Sequence, residues 1–351
     1  MQLTEVSVNC FRNLESVQLQ PAAGLNVVYG SNAAGKTSLL EAIHFLARAR
    51  SFRTTRPQQL LMHGCDSLLV RGALNTGTRL AVRWSAEKTE VRINQDDVRS
   101  LSELARFLPV QVVNTESQRL LLDGPQVRRS FLDWGLFHVE QTFHESWRRY
   151  ERALRQRNQA LRFKDSRLAS SWEPELVTQA EVLSSQRQRL TENLQAGLAK
   201  ILSQWLPAEE IELTYRLGWS AEHCLAELYA LNRSRECELG YTLYGPHRAD
   251  LVIKSKGVDA QHRLSRGQQK LLVIGLLLAA TEVTQGSGGS IVLIDDLPAE
   301  LDIQRRQEVL QILQAVGAQV FLTTTDRQSI PLAADQAAWF HVEHGRYRKV
   351  V

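Results

Sequence analysis

The sequence predicts an α/β protein in which a mixed sheet carries a phosphate-binding loop, an antiparallel β segment follows it, and a helical insert interrupts the α/β part. Three observations predict this. The glycine-rich stretch Gly30-Ser-Asn-Ala-Ala-Gly35-Lys36-Thr37 sits between a β-prone run and a segment of helical periodicity. A second α/β stretch near the far end contains the apolar run Ile291-Val-Leu-Ile294, followed at once by Asp295 and Asp296. Between them, from about residue 137 to 237, the pattern is that of long charged helices with few β signals.

At 351 residues the chain can bury a full core and has room for one large domain or two ordinary ones. No apolar run approaches the roughly 20 residues of a membrane span, and the longest covers residues 271–280. The first residues carry neither a basic n-region nor an apolar h-region, so no secretion signal and a cytoplasmic location are expected. Four cysteines (Cys10, Cys65, Cys224, Cys237) are too dispersed for a metal cluster and are expected to be reduced thiols. The net charge of +4 is unevenly spread. Residues 147–167 hold Arg148, Arg149, Arg152, Arg155, Arg157, Arg162, Lys164 and Arg167 against Glu151 and Asp165. Such a run permits a polyanion partner, and it is equally the pattern of a solvated helix face.

In chain order, Leu25-Asn-Val-Val-Tyr29 is a short strand and Leu39, Leu40, Ile43, Leu46 and Ala47 mark the helix after the loop. Residues 68–94 alternate apolar and polar, as antiparallel strands do. Leu183, Leu190, Leu194, Leu198, Leu202 and Leu206 advance by seven or four, the stripe of an amphipathic helix roughly 40 Å long. A helix over residues 264–281, the strand Ile291–Ile294, a helix over 305–316 and a strand over 319–323 complete the pattern. Residues 285–290 read as a short flexible connection.

The loop fits the pattern G-x-x-x-x-G-K-[ST], with a strand before it and a helix after it. In that arrangement the backbone N–H groups of Gly30, Ser31, Asn32, Ala33, Ala34 and Gly35, with Lys36, Thr37 and Ser38 at the helix start, cradle the phosphates of ATP. Lys36 neutralises phosphate charge and the Thr37 hydroxyl reaches Mg2+. A magnesium site needs a carboxylate, and Asp295 at a strand end is the expected outer-sphere ligand. Strand alternation would point Asp296 to a different side, where it could orient or deprotonate the attacking water. The competing reading is an acidic pair that caps the next helix.

Ser265-Arg-Gly267-Gln268-Gln-Lys270 immediately precedes an apolar helix. Alone it is a capped helix start. Together with the early loop and the carboxylate strand it gives the motif order of ABC-type ATPases. There the Ser-Gly-Gln segment of one subunit closes over ATP held by the other's loop. One copy of each motif per chain therefore implies a homodimer, with Ser265, Gly267 and Gln268 completing the partner's site. Residues 299–302 occupy the place of that class's dimer-contact turn. Thr323-Thr-Thr325-Asp326 ends the next strand where a γ-phosphate sensor belongs, and Thr325 is the expected sensor.

Longer motifs in the same order narrow this further: Cys10-Phe-Arg-Asn13, Ala49-Arg-Ser-Phe-Arg53, Gly124-Pro-Gln-Val-Arg-Arg-Ser-Phe-Leu-Asp133, Tyr150-Glu-Arg-Ala-Leu-Arg-Gln-Arg-Asn158 and Tyr244-Gly-Pro-His-Arg-Ala-Asp250. Over nearly the whole chain the sequence resembles the RecF family, bacterial gap-repair ATPases related to SMC heads. The resemblance implies an ABC-type ATPase head, formed by residues 1–136 and 238–351, with a helical arm over 137–237. It also implies a weak, switch-like ATPase that dimerises on ATP, binds single- and double-stranded DNA at gaps, and works with RecO and RecR to load RecA in repair, replication restart and the SOS response. Against the family pattern, Ala33 replaces the loop's middle glycine, so the loop has either a different strain or an ordinary φ there. Ala299 replaces an expected serine. The stretch Val113-Asn-Thr-Glu116 lacks a proline, although Gln111 is assigned by resemblance to the magnesium-contacting Q-loop. Aspartate at 296, shorter than the glutamate of transport ATPases, predicts slow turnover. DNA contacts are expected from residues 147–167 or from Arg53 and Arg56. His247 is expected to be structural, having no metal-ligand spacing. A transporter's nucleotide-binding subunit is the competing function, disfavoured by the insert and the tandem aspartates.

Overall fold

The computed structural model describes residues 1–98, 100–285, 289–297 and 301–350. Ala299 and Glu300 of the expected dimer-contact turn, and residues 286–288 of the expected connection, lie outside them. By contacts the chain forms two compact units, Met1–Ser117 with Thr284–Val351, and Gln118–Val283. Residues 118–136 and 238–283, read from the sequence as head, thus cluster with the helical insert.

The first unit begins with strands β1 (Leu3–Phe11), β2 (Leu14–Leu19) and β3 (Leu25–Tyr29), then helix α1 (Lys36–Arg48). Strands β4 (Ser67–Leu74), β5 (Arg79–Ser85), β6 (Thr89–Ile93) and β7 (Asp96–Asp97) follow, then α2 (Leu101–Phe107) and β8 (Val110–Val113). An antiparallel sheet runs β2-β1-β4-β5-β6-β7. Its strands alternate buried and exposed positions, so one face meets the core and the other meets water.

The second unit contains α3 (Arg119–Leu122), α4 (Pro125–Val139), α5 (Phe143–Arg162), α6 (Ser166–Ser171) and α7 (Glu173–Trp205). It continues with β9 (Ile211–Arg216), α8 (Leu225–Leu239), β10 (Asp250–Ser255), β11 (Val258–Asp259), α9 (Ala260–Arg263) and α10 (Arg266–Gln285). Helix α7 packs along α5 and spans 33 residues, about 50 Å at 1.5 Å per residue. The leucine stripe supplies its buried face. Strands β9, β10 and β11 form a small antiparallel sheet.

Returning to the first unit, β12 (Ile291–Ile294), α11 (Ile303–Val316), β13 (Gln319–Thr324), β14 (Ala338–Glu343) and β15 (Arg346–Val350) complete the chain. The second sheet runs β15-β14-β3-β13-β12-β8, parallel except for β15. Every residue of β12 and β13 is buried, as expected of central parallel strands. Helix α1 is buried on nearly all sides and shares one core with both sheets: Leu39, Ile43 and Leu46 cluster with Val70 and Val82 of one sheet and Val28 and Phe321 of the other. Gly72 lets α1 come close, since a Cβ there would lie 2.6 Å from Leu46.

Two expectations need correction. Cys10 and Cys65 are joined in a disulfide, with Cα atoms 6.3 Å apart, rather than being free thiols. The turn after α1 returns beside β1, where the Met62 N–H donates to the Cys10 carbonyl (3.0 Å) and brings Cys65 alongside. Cys224 and Cys237 are free. Arg157, counted within the basic run, is fully buried. Its guanidinium donates to Glu236 (2.6 Å), Glu173 (2.9 Å) and Thr242 (3.0 Å) and stacks 4.4 Å over Tyr229. Arg149 is taken up by Glu175. Arg148, Arg152, Arg155 and Arg162 remain exposed. Their spacing of four, three and seven places them on one side of α5.

Candidate nucleotide site

The loop leaves β3 at Gly30 and enters α1 at Lys36, and two glycines make that path possible. A Cβ on Gly30 would lie 2.2 Å from the Val342 carbonyl oxygen, so the neighbouring strand admits no side chain. Gly35 has φ +120°, and a Cβ there would lie 2.9 Å from Leu14. Ala33 takes φ +63°, so of the two possibilities raised by its replacement of glycine, the strained one holds. The Asn13 amide holds that residue by donating to the Ala33 carbonyl (3.1 Å), and accepts from the Ser38 hydroxyl (2.7 Å). The Gly345 N–H donates to the Ala34 carbonyl (2.9 Å) and the Tyr347 hydroxyl to the Gly35 carbonyl (2.8 Å). Asn13 and Tyr347 were missed as loop supports. The first lay inside a quoted motif, and the second carried no sequence signal.

No side chain caps α1, whose N-terminal N–H groups therefore remain available to an anion. Lys36 Nζ donates to the carbonyls of Gly30 (2.8 Å) and Ser31 (2.9 Å), lying back over the loop. Burial lowers its pKa below the usual lysine value, while Asp296 and Asp295 pull it back up. Both carboxylates thus act on one ammonium. The strand ends at Ile294, and Asp296 turns the chain with φ +53°.

The Thr37 hydroxyl bonds both Asp295 oxygens (2.9 and 3.1 Å), across 258 positions of sequence. Thr323 donates to Asp295 Oδ1 (2.8 Å) and accepts from the Asp296 N–H (2.8 Å). Thr325, the expected sensor, is exposed just past the end of that strand. A hydroxyl and a carboxylate in contact at the start of a helix are hard oxygen donors of the kind Mg2+ takes, and they fit that ion.

Gln111 is not brought to this place. It sits inside β8 opposite Val292, three positions before the level of Asp295, or about 10 Å down the sheet. Residues at the strand end, such as Asn114, are level with Asp295. In the other unit, Ser265 and Gln268 form a reciprocal capping box: the Ser265 N–H donates to Gln268 Oε1 (2.9 Å) and the Gln268 N–H to Ser265 Oγ (3.4 Å). Nothing lies within 4 Å of where a Gly267 Cβ would be, so that turn is open to solvent. His247 is structural in its contacts. Its ring lies between the Tyr150 hydroxyl (2.7 Å) and the Thr242 carbonyl (3.1 Å), and burial lowers its pKa to about 4.

Residues 2–348 match the family described as the RecF/RecN/SMC N terminal domain. The DNA replication and repair protein RecF of Shewanella sediminis is 41% identical, with 99% of each chain covered. That of Shewanella woodyi is 40% identical over 98% of this chain and 97% of its own. The chain belongs to the RecF family. Its fold agrees with a solved structure described as the recombination mediator protein RecF with ATP in the RecFOR pathway (TM-score 0.88, 24% identity, 100% and 98% of the two chains). A more distant likeness is to an SMC head bound to the C-terminal winged-helix domain of ScpA (TM-score 0.64, 14% identity, 100% and 98% covered). The RecF-family fold thus accounts for the two sheets around α1. No helix among the described residues is long and apolar enough to cross a membrane.

Proposed function

We propose that this RecF-family chain is an ATP-gated, DNA-binding repair protein whose complete nucleotide site needs two copies. The observation that carries the reading is the hydrogen-bonded chain Thr37–Asp295–Thr323–Asp296, which joins the loop's helix to the carboxylate strand. Lys36, the uncapped N–H groups of α1 and the loop backbone bind the phosphates of ATP. Thr37 and Asp295 hold magnesium, which supplies neutralisation of phosphate charge when bound. Asp296, held by Thr323 through its own N–H, orients the attacking water. The exposed Ser265-Arg-Gly267-Gln268 turn of a second copy closes the site, so ATP ties two chains together on DNA and slow hydrolysis releases them. By family membership the complex works with RecR and RecO at gapped DNA to load RecA. The exposed arginines of α5 contact phosphates there.

Sedimentation velocity with and without ATP, adding gapped duplex DNA and using Lys36→Met as control, tests this. The dimer population and DNA affinity of the native protein should both rise with ATP, and the variant should show neither rise. A native protein that stays monomeric with ATP and binds DNA no more tightly refutes the gating.

A further inference from the structure

The outer face of the antiparallel sheet contains a cluster of arginines that no part of the nucleotide site uses. Strand register defines it. Ser7 pairs with Arg71, Arg71 with Ala81, and Ala81 with Arg92, so these side chains share one face. Arg79 and Arg83 lie two residues on either side of Ala81 along β5, on that same face. Four arginines therefore surround one alanine. Arg71 and Arg92 are about 10 Å apart across the sheet, and Arg79 and Arg83 about 13 Å apart along it.

All four are exposed, and with Ala73 and Ala81 as floor they line an open cavity of about 560 Å3. Two carboxylates line the cavity with them: Glu5, which pairs across the strands with Ala73, and Glu90. Glu90 lies 2.7 Å from Lys88 and only 3.9 Å from Arg83, while Asp97 takes Arg92 at 2.7 Å. Arg71 and Arg79 have no ion pair among the described residues. Four arginines against the two lining carboxylates leave an excess of positive charge, which a polyanion neutralises.

We propose that this face binds the sugar-phosphate backbone of duplex DNA, a site distinct from the α5 arginines. Three features select that occupant. The cations are spread over the width of several phosphates rather than converging on one, so a single phosphoryl group would leave most of them unused. Gln18, Ser7 and Asn94 border the arginines with neutral hydrogen-bonding groups, the usual companions of arginine at a backbone. No aromatic side chain lines the cavity, so it lacks the stacking platform that unpaired bases require.

The inference rests on the DNA-binding reading above. The test is fluorescence anisotropy of a labelled 30-base-pair duplex and of oligo-dT, across a salt series, with the full chain and with ATP and Mg2+ present. The native protein is compared with Arg71→Gln/Arg79→Gln, with Arg71→Lys/Arg79→Lys, and with Arg148→Gln/Arg152→Gln on α5. Removing two phosphate contacts should lower the duplex salt slope by about 2 and weaken binding roughly 10- to 100-fold at 0.1 M salt. The lysine pair should keep the slope, and oligo-dT should change less than duplex. Unchanged melting temperatures show that the exposed substitutions leave the fold intact. An unaltered duplex slope in the Arg71→Gln/Arg79→Gln protein, or a loss confined to oligo-dT, overturns the site while leaving DNA binding standing. A native protein that binds neither DNA overturns both readings.

Discussion

Ala33 occupies a backbone conformation its side chain resists, and replacing it with glycine should stabilise the protein. At φ +63° an L-residue in the left-handed region costs about 1–2 kcal/mol, which glycine avoids. Glycine gives back about 0.4–1 kcal/mol through the extra freedom of the unfolded chain. The difference leaves Ala33→Gly more stable by roughly 0.5–1 kcal/mol, or about 2 °C in Tm for a unit of this size. Ala34 provides the control. It is buried and outside the positive-φ set, so Ala34→Gly has no strain to release and should lose about 1 kcal/mol. Thermal and urea unfolding of the full chain, following the transition of the unit containing the loop, reads both. Adjacent substitutions of the same chemistry should move stability in opposite directions. If both destabilise, the loop is not strained at Ala33 and the reasoning fails.

Gly30→Ala should cost roughly 3 kcal/mol or more, because its Cβ would meet the Val342 carbonyl oxygen, a backbone atom unable to swing aside; a soluble, normally melting variant would contradict this. Arg157→Leu should cost about 3–5 kcal/mol by stranding Glu236, whereas Arg148→Leu should stay within about 0.5 kcal/mol in the same denaturation assay. His247 is held neutral with its pKa lowered to about 4, so the unfolded chain binds the extra proton between its ordinary value near 6.5 and 4. The stability it contributes is complete above about pH 6.5 and is lost as pH falls toward 4; His247→Gln should flatten that part of the urea-midpoint profile. Thr323→Val removes its bonds to the Asp295 carboxylate and the Asp296 N–H, so ATP turnover should fall at least tenfold, while Thr325→Val should change it less than twofold.

The strand-loop-helix, the apolar β12 with its aspartates and the amphipathic α7 were legible because each has a local cause: glycine where backbone must approach, continuous hydrophobicity where both strand faces are covered, leucines at helical spacing. What escaped depends on tertiary partners. Strand β9 alternates buried and exposed positions without fault, but its six residues were absorbed into a long helical reading. Arg157 has the same sequence surroundings as its exposed neighbours, and only Glu173 and Glu236, from two other helices, make it a core residue. Gln111 was placed by resemblance, yet register puts it inside a strand. The sulfurs of Cys10 and Cys65 meet because the turn after α1 comes back beside β1, which no cysteine spacing reveals.

Ala33 and Asp296 share a property that bears on how the proposed switch can work. Both hold positive φ without being glycine, and each is fixed by a hydrogen bond to a residue of the nucleotide site: the Ala33 carbonyl to Asn13, which also takes Ser38, and the Asp296 N–H to Thr323, which also takes Asp295. Strain of this kind persists only where surrounding contacts over-determine it. The loop and the carboxylate strand are therefore shaped by contacts within the chain itself, and Thr37 touches Asp295 among them. A ligand shifts an equilibrium only by its differential affinity for two states. In the proposed switch, then, the differential affinity lies in what ATP adds to the contact between two copies. The residues to alter for a gating defect with intact nucleotide binding are then Ser265 and Gln268, outside the loop, rather than Ala33 within it.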